Sequence, residues 1–243
     1  MGTGHPPASR RPLNQAVGFA QPDRTIPADR SEHETYAAHP VDGRGLHTIV
    51  LTDMAASARR DNQSQRRMRS ELYAMMHDLV RYLGLDLDAL ALTDTGDGIR
   101  LLMPVRIVEP MHVIDAFVVG LAARLREHRR HVNEVARVRL RVALDLGVVE
   151  RHHNGWSGEP LVRASRLVDA DPVRAALDAD DRLDFAVILS DVLFQTVVLP
   201  GQGFVGPSSF DPVTIAVKEF RQFAWQLRQG TGEPCRQCGR AAA

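Results

Sequence analysis

Cysteine is nearly absent from this chain of 243 residues: only Cys235 and Cys238 occur, both close to the C-terminus. A disulfide-stapled secreted fold is therefore not expected, and a reducing cytoplasm is the expected setting. The Cys235 to Cys238 spacing suits zinc, but structural zinc takes four ligands and no second cysteine pair exists. Net charge is absent too, with 30 Lys plus Arg against 30 Asp plus Glu. That balance removes any global electrostatic case for nucleic acid or an acidic membrane as partner. No apolar run approaches the ~20 residues that span a bilayer, and the N-terminus lacks the hydrophobic centre of a signal peptide. No membrane contact is expected.

What is present is an ordinary apolar fraction of 44%, enough for a packed core, and a length that suits one sizeable domain with tails. Residues 1–46 carry Pro6, Pro7, Pro12, Pro22, Pro27 and Pro40 and no hydrophobic period. They are expected to form a disordered tail. Residues 47–219 are expected to form the domain, and 220–243 a C-terminal extension that ends in a polar tail.

The run His47 to Asp53 is short and β-branched, as a buried strand is, and it ends in a carboxylate. Met68, Leu72, Met75, Met76, Leu79, Val80 and Leu83 recur at helical steps, and Gly84 is placed to stop that helix. Leu90 to Thr93 and Ile99 to Met103 are strand-like and flank Thr95-Gly96-Asp97-Gly98, a hairpin signal. Pro110 opens a helix through Leu125. Alternation from Val138 to Leu144 predicts a strand, paired through Gly147 with Val148-Val149. Helices over 161–167 and 172–177, a strand over Phe185 to Leu189, a short helix over Asp191 to Val198 and a strand over 215–218 follow. His128, His131, His152 and His153 read as solvated surface. The order of elements suits an α+β fold of the ferredoxin-like group, a mostly antiparallel sheet with helices packed on it.

Two carboxylates in this scheme are placed for a hard cation. Asp53 ends the first strand, and Asp97 lies in the hairpin between the next two. If those strands are neighbours, both carboxylates face one spot. Mg²⁺ takes one or two protein oxygens of this type, and an Asp in a β-turn is also a common turn former.

Four blocks in order resemble the catalytic domain of class III adenylate and guanylate (nucleotidyl) cyclases. They are Thr52-Asp53-Met54; Thr95-Gly96-Asp97-Gly98; the strand from Leu140 to Val149; and Gly158-Glu159-Pro160-Leu161-Val162-Arg163-Ala164-Ser165-Arg166-Leu167. The chain also resembles a broad actinobacterial group with a similar hairpin, Arg166-Leu167-Val168-Asp169-Ala170 and Val217-Lys218-Glu219. The resemblance implies a cyclase that makes a 3′,5′-cyclic monophosphate and pyrophosphate from a nucleoside triphosphate at a homodimer interface. It implies two ions, Mg²⁺ or Mn²⁺, on Asp53 and Asp97 with the Met54 carbonyl as a further ligand. Arg166 is implied to steady charge on the α-phosphate. Helical spacing places Arg163 one turn earlier on the same face, as a partial substitute for it. The loop with Ala55, Ala56 and Ser57 is implied to offer N–H groups to phosphates, and Thr93 stands where the family has a base-reading lysine. Val162 stands where the family has a ribose-binding asparagine, and the second base-reading position falls near Gly155. Those departures leave two readings open, an enzyme with altered base choice and an inactive nucleotide-binding module.

Overall fold

The structure of the protein, a computed structural model, describes Met1 and residues 43–55, 61–87, 90–217 and 220–228. Most of the expected N-terminal tail, Ala56, Ser57, Lys218, Glu219 and both cysteines lie outside the described residues.

Strand β1 (Arg44–Met54) runs through the middle of a mixed sheet. It begins three residues before the expected start. Helix α1 (Asn62–Tyr82) follows, with Asp61 as its N-cap accepting from the Gln63 and Ser64 amides at 2.9 and 2.8 Å. Such a cap satisfies N–H groups that the first turn leaves without intrahelical partners. Leu83 closes the helix, and Gly84 next to it takes φ +74°. Strands β2 (Ala91–Asp94) and β3 (Ile99–Pro104) form the expected hairpin. The helix opened by Pro110 is broken into α2 (Pro110–Asp115), a π-helical turn (Ala116–Gly120) and α3 (Leu121–His131).

Strand β4 (Leu140–His152) departs from expectation. The chain does not turn at Gly147; it runs straight past it and turns at His153-Asn154 into β5 (Gly155–Ser157). Gly155 there has φ +122°, whereas Gly147 has no positive φ. Gly147 serves a different purpose, because a Cβ on it would lie 2.2 Å from Pro160 Cγ. Its missing side chain lets the next helix sit on the strand. That helix is α4 (Glu159–Val168), followed by α5 (Asp171–Ala179) and β6 (Phe185–Ser190), which lies parallel to β4. A parallel pair needs a crossover of this kind. After β6 come α6 (Asp191–Leu193), a π-helical turn (Phe194–Val198) and β7 (Phe210–Val217). The sheet then continues past residue 219 in β8 (Phe220–Leu227), which inserts between β6 and β7.

The strand order is β2-β3-β1-β4-β6-β8-β7, with β5 on β4. All pairings except β4 with β6 are antiparallel. Helices cover both faces, so the central strands are buried on both sides and read as near-continuous apolar runs. Val50, Leu101, Val142, Leu144 and Leu189 face α1, α2, α3 and α6. Ile49, Leu51, Ala143 and Ile188 face α4 and α5. The fold is thus α+β with a mostly antiparallel sheet. One histidine differs from expectation: His128 is buried, with Nε2 3.2 Å from the Ala136 carbonyl and Nδ1 3.7 Å from Glu71. No described helix is long and apolar enough to cross a membrane.

Candidate active site

The end of β1 and the β2–β3 hairpin are locked together at backbone level. The Met54 amide donates to the Asp97 carbonyl at 2.8 Å. Thr52 Oγ1 donates to the Ile99 carbonyl (3.2 Å) and accepts from the Ile99 amide (3.0 Å). Gly98 makes this approach possible, because a Cβ on it would lie 1.8 Å from the Thr52 carbonyl oxygen. Helix α1 braces the hairpin from outside. Asp94 accepts from the Gly96 amide (2.8 Å), the Tyr73 hydroxyl (2.9 Å) and Arg69, and Arg69 also donates to the Gly96 carbonyl. The Gly96 amide and the other donors hold the Asp94 carboxyl below its ordinary range, although burial works against them.

Asp53 and Asp97 are therefore neighbours. Burial raises the proton affinity of Asp53, Arg141 lowers it, and the charges of Asp97 and Asp169 raise it again; the net shift is upward. Arg141, on β4 directly opposite Asp53, donates from Nε (2.8 Å) and Nη2 to Asp53 Oδ2. Its Nη1 lies 4.0 Å from Asp169, at the C-terminal end of α4. Arg141 was missed in the sequence because Arg139 and Arg141 read as the polar half of an alternating strand. Only the register between β1 and β4 singles it out. A cavity of about 270 Å³ opens beside it, lined by Ala55, Arg141, Arg174, Leu177 and Asp178.

The remaining candidates sit as follows. The Ala55 amide donates to the Arg139 carbonyl at 2.9 Å, so that N–H is already engaged. Thr93, on β2, accepts from Arg100 Nη2 at 3.3 Å. Arg166 is half-buried in the last turn of α4, on the same side of the sheet as Asp53. Val162, one turn before it, is half-exposed. Arg163 is not a surface neighbour of Arg166. It is buried and bound to Asp145, which is fully enclosed in β4. That commitment removes it as a substitute for Arg166. Trp156 packs edge-on against His47 at 5.3 Å, with Arg151 over its ring.

Asp53, although paired with Arg141, and Asp97 are carboxylates, the hard oxygen donors that Mg²⁺ and Mn²⁺ accept. Among the described residues no three His, Cys, Asp or Glu side chains gather into a cage. A cation held by one or two carboxylates and completed by phosphate and water requires none.

No family model and no curated protein matches the chain. Solved structures do. The catalytic core of a rhodopsin-guanylyl cyclase with converted specificity, in complex with ATPalphaS, shares 16% identity over 76% of this chain and 97% of its own, with a TM-score of 0.53. An adenylate/guanylate cyclase/hydrolase from Silicibacter pomeroyi shares 16% over 76% and 97%, at 0.52. The adenylyl cyclase CyaB from P. aeruginosa shares 10% over 78% and 97%, at 0.51. The protein has the fold of the adenylyl and guanylyl cyclase catalytic domain.

Proposed function

We propose that the protein is a nucleotidyl cyclase that converts a nucleoside triphosphate to a 3′,5′-cyclic monophosphate and pyrophosphate. The observation that carries this reading is the Asp53 and Asp97 pair, fixed to one another by the Met54 amide and faced by Arg141, at the sheet position just described. The similarity to cyclase cores, one of them in complex with ATPalphaS, supports a nucleotide substrate.

In this reading Asp53 and Asp97, with the Met54 carbonyl, hold two Mg²⁺ or Mn²⁺ ions. When bound, those ions supply activation of the 3′-oxygen and charge neutralisation on the phosphates. The 3′-hydroxyl gives up its proton to solvent as its oxygen attacks the α-phosphorus, the bond from that phosphorus to the α–β bridging oxygen breaks, and pyrophosphate leaves. Against the burial that raises the proton affinity of Asp53, Arg141 lowers it, and the guanidinium presents fixed positive charge beside the phosphates. Arg166 of a second copy stabilises charge that develops at the α-phosphate, a role worth about 10³–10⁵ in rate in comparable transfers. Thr93 lies at the base, and the segment with Ala55, Ala56 and Ser57 lies near the phosphates. The working form is a homodimer in the cytoplasm, and the catalytic domain extends beyond residues 47–219 to take in the whole of β1 and β8.

The competing reading is an inactive nucleotide-binding module, and Val162 favours it, since an apolar side chain makes no hydrogen bond to a ribose. One experiment separates the two. Purified protein is incubated with each of the four nucleoside triphosphates and Mn²⁺ or Mg²⁺, and cyclic product is measured by mass spectrometry. Product is expected with at least one nucleotide and is expected to vanish in Asp53→Asn and Asp97→Asn, because an amide does not offset dication charge. A folded, dimeric wild type that makes none with any nucleotide is a binding module.

A further inference from the structure

The buried pair Asp145 and Arg163 has no part in the chemistry above, yet it is the most enclosed pair of opposite charges in the described structure. Asp145 is 0% exposed, in the middle of β4. Arg163 Nε donates to its Oδ2 at 2.7 Å and Nη2 to its Oδ1 at 3.0 Å, a two-pronged fork. The Leu146 amide donates to Oδ1 at 2.7 Å. Burial raises the proton affinity of the Asp145 carboxyl, and Arg163 and the Ser190 hydroxyl lower it. The same guanidinium donates to the Leu146 carbonyl at 3.3 Å and to Glu159. Ser190 in turn caps α6 through the Leu193 amide at 3.1 Å.

Burying such a pair is a poor way to gain stability. Well-packed apolar residues of similar volume commonly do as well or better, because two desolvated charges must recover what water gave them. What a fork provides is direction. Leu161, Ala164, Leu167 and Val168 form an apolar face that tolerates small rotations of α4; a bidentate guanidinium does not. A second charged contact lies further along the same two elements, Asp169 of α4 near Arg141 of β4 at 4.0 Å. The polarity is reversed between the two. In the first, the strand carries the acid and the helix the base; in the second, the strand carries the base and the helix the acid. A helix shifted or turned about its axis would lose both contacts. Arg166 lies midway between Arg163 and Asp169, three residues from each.

We infer that Asp145 and Arg163 are positioning residues that set the register and rotation of α4 on β4 and so fix where Arg166 and Val162 point. As a statement about turnover this rests on the cyclase reading; as a statement about α4 it does not.

The test is the double replacement Asp145→Leu/Arg163→Met, which removes the charges and keeps apolar filling. Two readouts are taken. Turnover is measured in the full chain. The orientation of α4 is read separately from the rate at which a thiol reagent labels Val162→Cys in a chain with Cys235→Ser and Cys238→Ser. The expected result is an undiminished melting temperature, a kcat about 10²-fold lower with KM within about threefold, and a labelling rate changed by about threefold or more. Wild-type kcat and wild-type labelling in a stable double variant would overturn the inference. If wild type itself makes no cyclic product, the cyclase reading falls and labelling alone decides: a changed rate upholds the role in α4 and an unchanged rate ends it. If the double variant does not fold, Arg163→Lys serves instead, since lysine keeps the charge but lacks the fork. Unchanged kcat and labelling in that variant would equally overturn the inference.

Discussion

Asp53 and Arg141 stand opposite one another on neighbouring antiparallel strands, and two nitrogens of the arginine converge on a single carboxylate oxygen, Oδ2. Both side chains are largely enclosed, at 16% and 14% exposure. The arginine therefore neutralises the carboxylate in the resting protein while also standing where phosphates are proposed to lie.

Those two roles predict opposite effects of Arg141→Met on two ligands. Without the guanidinium, Asp53 loses its counter-charge, and Mn²⁺ alone is expected to bind more tightly at neutral pH. A nucleoside triphosphate in the absence of metal is expected to bind more weakly, since a phosphate-facing cation is gone. Leaving the carboxylate without its partner costs about 1–3 kcal/mol in stability. Calorimetric titration with each ligand and a urea melt check all three. Weaker binding of both ligands would mean that Arg141 is a plain structural residue.

Two glycines of the hairpin are expected to respond differently to alanine. At Gly98 the new methyl would lie 1.8 Å from the Thr52 carbonyl oxygen, so strand end and hairpin must part. Overpacking of this kind costs about 1–3 kcal/mol or more, and it moves Asp97 away from Asp53. At Gly96 nothing lies within 4 Å, and the penalty comes from φ +99° alone, about 1–2 kcal/mol. Gly98→Ala should abolish turnover, whereas Gly96→Ala should melt earlier yet keep measurable activity. Equal activity in the two variants would refute the view that the Thr52 contact sets the carboxylate pair.

The brace on the hairpin predicts a pH dependence. Asp94 has an ordinary value near 3.8, and in the folded protein it is lower, chiefly through the Gly96 amide and also through Tyr73 and Arg69. The folded value thus lies below the unfolded one. The stability it contributes is present above about pH 3.8 and is lost as pH falls through the lower folded value. Asp94→Asn should melt a few degrees lower than wild type at pH 7, for a network worth about 1 kcal/mol at most. That gap should close in acid below the ordinary aspartate value. A gap that is constant from pH 7 to pH 3 would assign the effect to something other than this carboxylate.

Much of the fold was legible because burial follows period. The α1 stripe, the hairpin around Asp97 and the strand ending in Asp53 all emerge from apolar spacing and one Asp-Gly signal. Gly147 misled because a glycine between apolar residues looks like a turn; here it makes room for Pro160, a contact that only the packed helix reveals. Strand β8 was hidden because Arg221, Gln222 and Gln226 break its apolar pattern. The pairing of Asp53 with Arg141 spans 88 residues and depends on strand register. Likewise Asp145 reads as one polar residue in an apolar strand, and Arg163 as a surface neighbour of Arg166, until α4 is laid on β4.

The proposed sharing of each site between two copies gives the last prediction. If the carboxylates come from one protomer and Arg166 from its partner, Asp97→Ala and Arg166→Ala chains are each inactive alone, since every site lacks one part. After mixing and exchange, half of the dimers carry one copy of each. Such a mixed dimer has one site with both defects and one site with none. Recovery should approach about a quarter of wild-type activity, half the dimers with half their sites intact. Arg166→Ala should meanwhile bind nucleotide almost as wild type does, because its contribution is confined to the transition state. Exchange is verified independently with differently tagged chains. No recovery in a mixture shown to contain mixed dimers would place both groups in one protomer, and full turnover by a strictly monomeric wild type would remove the dimer from the mechanism.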